Sequence, residues 1–159
     1  MSFFVHLTPA PVVKTPNIQK VSLLLAGFFL AMTVAQLFTF EKFPDVIEQT
    51  WLTGDQSQAR LIAALIVTCE VLALPFLLRL KLSKAMRVLS MILGWLTIAF
   101  WLVVVIYQNI QGLPIGNSSI LGATVALPVG MWSIFIFIAL GVLAAWVSWG
   151  MWPLRREIK

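Results

Sequence analysis

A chain of 159 residues would ordinarily make one soluble domain. Here the residues AVILMFWYC supply 60% and charged residues only 11%, where about a quarter charged is usual in soluble domains. That shortage of polar cover, with a mean hydropathy of +0.97, excludes a soluble globular domain, a disordered chain and a disulfide scaffold, and predicts an all-α, polytopic membrane protein. The net charge of +5 comes with no long basic run, so it predicts no nucleic-acid partner.

In chain order, residues 1–20 read as a cytoplasmic tail punctuated by Pro9, Pro11 and Pro16. A transmembrane helix needs about 20 apolar residues, and the first such span runs over about 21–40. Thr33-Val34-Ala35 is a weak small-x-small cleavage site, but the apolar run continues through Leu37, Phe38 and Phe40, which predicts a retained span. The second span covers about 61–78 and is interrupted by one charge, Glu70. A short basic turn leads to a third, uncharged span at 88–108. The apolar stretch from Ile120 to Trp152 is too long for one span, and Pro128 and Gly130 divide it. Proline suits a helix start and not an interior, so the fourth span is placed at 129–152. That leaves 112–127 as a loop or short re-entrant segment, and 153–159 as a basic cytoplasmic tail.

Nine of the eleven Lys and Arg fall in the two tails and the loop between spans two and three. The positive-inside rule then puts both termini in the cytoplasm. Trp51 and Trp132 are expected at the outer interface and Trp149 and Trp152 at the inner one, beside Arg155 and Arg156. Trp95 and Trp101 fall deeper and are expected to pack in the bundle. Small residues recur on span one (Gly27, Ala31, Ala35), span three (Ser90, Gly94) and span four (Gly141, Ala145), a spacing that permits close helix approach in lipid.

One residue dominates the chemistry. Glu70 lies near the middle of its span, and an intramembrane acid is by default a functional candidate. Its helical neighbours Ile66, Val67, Ala73 and Leu74 cannot satisfy it. Partners are expected from other helices: Thr33 and Thr97 at similar depth, with Gln36 somewhat further out; Trp95 joins them as a ligand-binding candidate. Glu70 reads either as a ligand-binding or proton-carrying carboxyl, or as a structural tie between helices. Glu41 and Lys42, where span one leaves the membrane, and Tyr107 and Asn117 on the same side are candidate outer-surface polar groups. His6 is the only His and Cys69 the only Cys, so no four-ligand metal site and no internal dithiol can be built from one chain. No nucleophile triad and no phosphate-binding glycine loop is present, so no catalytic constellation is read.

Span two (Ala64-Leu65-Ile66-Val67-Thr68-Cys69-Glu70-Val71-Leu72-Ala73-Leu74) and the basic turn after it (Arg79 to Arg87) resemble the DoxX-like and MauE-like group of small four-helix bacterial membrane proteins. The end of span one, Phe38 to Asp45, is similar to that group's lysine-and-aromatic stretch. Residues Gln111 to Gly122 resemble the MauE-like segment before the fourth helix. Some members carry a cysteine pair there, where this chain has Asn117, Ser118 and Ser119, so their thiol chemistry is not carried over. The resemblance implies an inner-membrane accessory or anchoring subunit of a quinone-linked redox system. Its partner would be another membrane or peripheral redox protein, or a second copy of the chain, and a quinone or lipid would bind. The alternatives are a small-molecule or proton pathway using Glu70, and a structural scaffold. An enzyme in its own right would need a lipid or quinone held by Glu70, Gln36, Trp95 and Trp101.

Overall fold

A computed structural model describes residues 13–48, 55–111, 120–123, 127–128 and 130–152. Five helices follow in order: α1 (Pro16–Phe38), α2 (Phe43–Glu48), α3 (Gln56–Leu77), α4 (Lys84–Gln111) and α5 (Met131–Gly150). There is no strand among the described residues. All but α2 are long and apolar enough to cross a membrane, so this is an integral membrane protein of four-helix design. Each long helix presents large apolar side chains outward, such as Leu24, Leu65, Ile110 and Val142, as contact with lipid requires.

α1 packs on α3, α3 on α4, α4 on α5, and α5 back on α1. The ring has two ends. The tail end holds the start of α1, the α3–α4 turn and the end of α5. The loop end holds the end of α1, the start of α3, the end of α4 and the start of α5.

Helix boundaries follow local chemistry more than hydropathy. α1 begins at Pro16, five residues before the apolar run, because proline is pre-organised for the first turn. α3 begins at Gln56, its polar first turn lying ahead of the apolar segment. There the Ser57 hydroxyl donates to the Asp55 carboxylate, and that bond holds the Asp55 carboxyl below its ordinary range. α2 was not foreseen. It buries Phe43, Pro44 and Ile47 against α3, and Gln56 Nε2 donates to Asp45 Oδ1 at 3.5 Å.

The α3–α4 seam repairs a break in α3. Pro75 sits inside that helix and lacks an N–H. Next to it, Phe76 N–H donates to the Ser90 hydroxyl at 3.0 Å, and Ser90 Oγ donates on to Leu72 C=O at 2.5 Å. A hydroxyl from α4 is thus inserted into the backbone ladder of α3, as neighbouring helices do for prolines in membranes. α3 then closes in a Schellman motif: Leu80 N–H donates to Pro75 C=O at 3.0 Å and Arg79 N–H to Phe76 C=O at 3.1 Å, with Arg79 at φ 58°.

Small residues mark some contacts and not others. A Cβ on Gly94 would touch Ala73 at 3.5 Å, and one on Gly141 would touch Ile98 at 3.8 Å. The span-one face departs from expectation: Gly27 has nothing near it, Ala31 is exposed and Ala35 half-buried. α1 turns its larger residues Leu25, Phe29 and Met32 inward instead. A tight contact comes instead from α5, where a Cβ on Gly150 would lie 2.2 Å from Ile18 Cδ1.

Candidate functional site

Glu70 is completely buried. By the rise of an α-helix it stands about 21 Å from the start of α3 and about 10 Å from its end. Side chains on a helix lean toward its N-terminus. α3 starts at the loop end, so Glu70 leans that way. α1 and α4 start at the tail end, so Thr33, Gln36 and Trp101 lean toward Glu70. The four meet at one level.

Three donors converge on the carboxyl. Thr33 Oγ1 lies 3.1 Å from Oε2. Gln36 Nε2 donates to Oε1 at 3.2 Å, and Trp101 Nε1 donates to the same oxygen at 3.2 Å. All are buried: Thr33 to 3%, Gln36 to 0% and Trp101 to 1% exposure. Both carboxyl oxygens are therefore satisfied, by neutral groups, from two other helices. Indole and amide N–H can only donate here. The Thr33 hydroxyl can either donate to the carboxylate or accept from a protonated acid. The cluster thus accommodates both protonation states by reversing one O–H···O bond.

The site continues toward the loop end. Gln36 Nε2 also donates to Ile120 C=O at 3.0 Å. Ala123 N–H donates to Thr39 Oγ1 at 3.1 Å, and Thr39 in turn donates to Ala35 C=O. Residues 120–123 form a turn against the last turn of α1. Gly122 makes this approach possible: its φ is +64°, and a Cβ there would lie 2.6 Å from Thr39 Oγ1 and 3.0 Å from Ala35 O. The 120–123 turn is thereby pinned to the helix that supplies two of the three Glu70 donors.

The other candidates lie apart. Thr97 is buried but donates to Leu93 C=O in its own helix at 3.0 Å. Trp95 does not pack inside the bundle. It is 38% exposed, and its Nε1 donates to Ser148 Oγ on α5 at 3.1 Å. Glu41 and Lys42 are exposed in the turn joining α1 to α2, and Tyr107 is half-buried near the end of α4. Asn117 and Trp51 lie outside the described residues. Trp132 and Trp149 stand at opposite ends of α5, and Lys14 Nζ lies 3.3 Å over the Trp149 ring.

Two features are not foreseen in the sequence: the burial of Gln108, which reads there only as one of the hydrogen-bonding groups closing span three, and a surface groove. Gln108 is 1% exposed, and among the described residues neither polar atom of its amide has a partner; Gln36 Oε1 likewise has none. Gln108 follows Trp101 by seven residues, which returns to the same helix face, so the spacing carried that signal. The second is an apolar surface groove of about 280 Å³ between α3 and α4, lined by Ile62, Ile66, Cys69, Leu96, Thr97 and Phe100 among others. The Phe100 ring, which lines the groove, meets Trp101 edge-on at 5.5 Å. Comparisons with protein-family models, curated proteins and solved structures give no match.

Proposed function

We propose that this protein is an accessory or anchoring subunit of a quinone-linked membrane redox system, and that Glu70 holds a proton inside its bundle. The observation that carries the proposal is the Glu70 cluster itself. A carboxyl is fully bonded within the apolar span, and one of its partners, Thr33, is able to reverse. Such a group exchanges a proton without dismantling the packing around it. The groove beside Phe100 and Cys69 fits an apolar chain, which supports a lipid or a quinone tail as ligand. The sorting of basic residues supports a bacterial inner membrane with both termini in the cytoplasm.

Purification in mild detergent tests the proposal. A co-purifying redox partner together with bound quinone, found by native mass spectrometry, is the expected result. A monomeric chain carrying neither would overturn it.

A second reading, a proton pathway within this chain, is favoured by the reversible Thr33–Glu70 bond. Proton flux in proteoliposomes that is abolished by Glu70→Gln would select it.

A further inference from the structure

The polar groups of the bundle are distributed unequally about Glu70. On the tail side, the buried hydroxyls are all engaged. Ser22 Oγ donates to Leu77 C=O, Ser90 bridges Phe76 and Leu72, and Ser148 accepts from Trp95. Between them lies a void of only about 20 Å³, walled by Leu25, Phe29, Phe76 and Ile98 among others. Arg79 and Arg87, at the tail-end turn, each make interactions of their own.

On the loop side the accounts of donors and acceptors do not close. Gln36 spends its amide nitrogen on Glu70 and Ile120, leaving Oε1 unmet. Gln108 leaves both a donor and an acceptor unmet. Unsatisfied polar groups inside a membrane protein are costly. Their usual remedy is buried water, which bonds to about three such groups. Water fits each of these groups, because it donates to an amide oxygen and accepts from the Gln108 nitrogen.

We infer that water enters the bundle from the loop end, held by Gln108 and Gln36, and that Glu70 communicates with that side of the membrane alone. Both amides are closed off from the bundle surface, so the water they hold is buried, and it exchanges with the loop side when Gln108 moves. Gln36 is the link, since it touches both the acid and the 120–123 turn. The consequence for proton exchange rests on the reading of Glu70 as a proton holder. The wetting itself does not.

The test uses single cysteines in a Cys69→Ala background of the full chain, reconstituted in nanodiscs that expose both faces. Thr33→Cys and Ser22→Cys are near-isosteric. Both positions are buried on α1, five residues from its end and six from its start. A small charged methanethiosulfonate is expected to label Thr33→Cys and Gln108→Cys at least about tenfold faster than Ser22→Cys, as transient local opening would dictate. Equal rates at all three, no labelling at any, or faster labelling of Ser22→Cys would overturn the inference.

Gln108→Leu supplies a second measurement. If the amide were simply dry and unpaired, this change would raise Tm or leave it unmoved. If it holds water, Tm falls by about 2–4 °C. A rise or no change overturns the inference. Neither readout requires a redox partner, so failure here is distinct from failure of the accessory-subunit proposal.

Discussion

Glu70 can be asked whether its charge or its shape organises the site. Glu70→Gln keeps a carbonyl oxygen where Oε1 accepts from Gln36 and Trp101. Its new amide donates to Thr33, whose hydroxyl reverses to accept. All three bonds survive, and unfolding free energy is expected to fall by no more than about 1 kcal/mol. Glu70→Leu keeps the approximate volume and removes every acceptor. Gln36 retains Ile120 C=O and Thr33 can turn to its own helix backbone, so each loses one interhelical bond, about 0.6 kcal/mol in bilayer proteins. Among the described residues Trp101 Nε1 donates to Glu70 alone. It becomes a buried orphan donor, at about 1–3 kcal/mol. The total is about 2–4 kcal/mol. Reversible unfolding in mixed micelles, with Trp fluorescence as the signal, measures both variants. If Glu70→Gln proves as damaging as Glu70→Leu, the charge and not the acceptor geometry holds the helices, and the reversible-bond reasoning fails.

Other outcomes follow from the same structure. Ser90→Ala strands Phe76 N–H and Leu72 C=O beside Pro75, and is expected to cost about 1–3 kcal/mol in the same unfolding assay. Gly122→Ala places a Cβ in a left-handed residue against the α1 backbone. It is expected to cost about 2–4 kcal/mol, and amide exchange at Ala123 should accelerate as the turn lifts. Arg79→Gly relieves a left-handed non-glycine residue but gives up the interactions Arg79 makes, so the two effects offset and stability, read from Tm, is expected to stay within about 1 kcal/mol of the parent's. Gly27→Ala enters open space. Stability within about 1 kcal/mol of the parent is expected, and a large loss would mean that this α1 face is packed.

Much of the fold was legible because crossing a bilayer demands long apolar runs, and only four such helices could be drawn. The ends were less so. The Pro16 and Gln56 starts are polar, and hydropathy cannot see a helix that projects beyond the hydrocarbon. α2 carries its signal in Phe43 and Ile47, one turn apart, too short a pattern to separate from a loop. Glu70 stood out as the one charge inside a span, and its partners Thr33 and Gln36 followed from depth. Depth alone failed for Trp95 and Thr97. At about 100° per residue, Trp95 lies well off the face of Trp101, so the two could not both point inward. Thr97 does share Trp101's face, but a hydroxyl that short bonds back to its own helix. The span-one glycine and alanine stripe misled for a related reason. In lipid either face of α1 is apolar, and spacing does not say which one meets protein.

The Ser90 bridge bears on how the chain is assembled. While α3 alone occupies the bilayer, the gap beside Pro75 has no hydroxyl to fill it, and its backbone groups stand bare in hydrocarbon. Relief arrives only when α4, fifteen residues further along, is threaded in and delivers Ser90. Helices α3 and α4 are therefore poised to enter as a hairpin during biogenesis, with α1 waiting to dock its Thr33 and Gln36 onto an acid that the hairpin has already paired with Trp101.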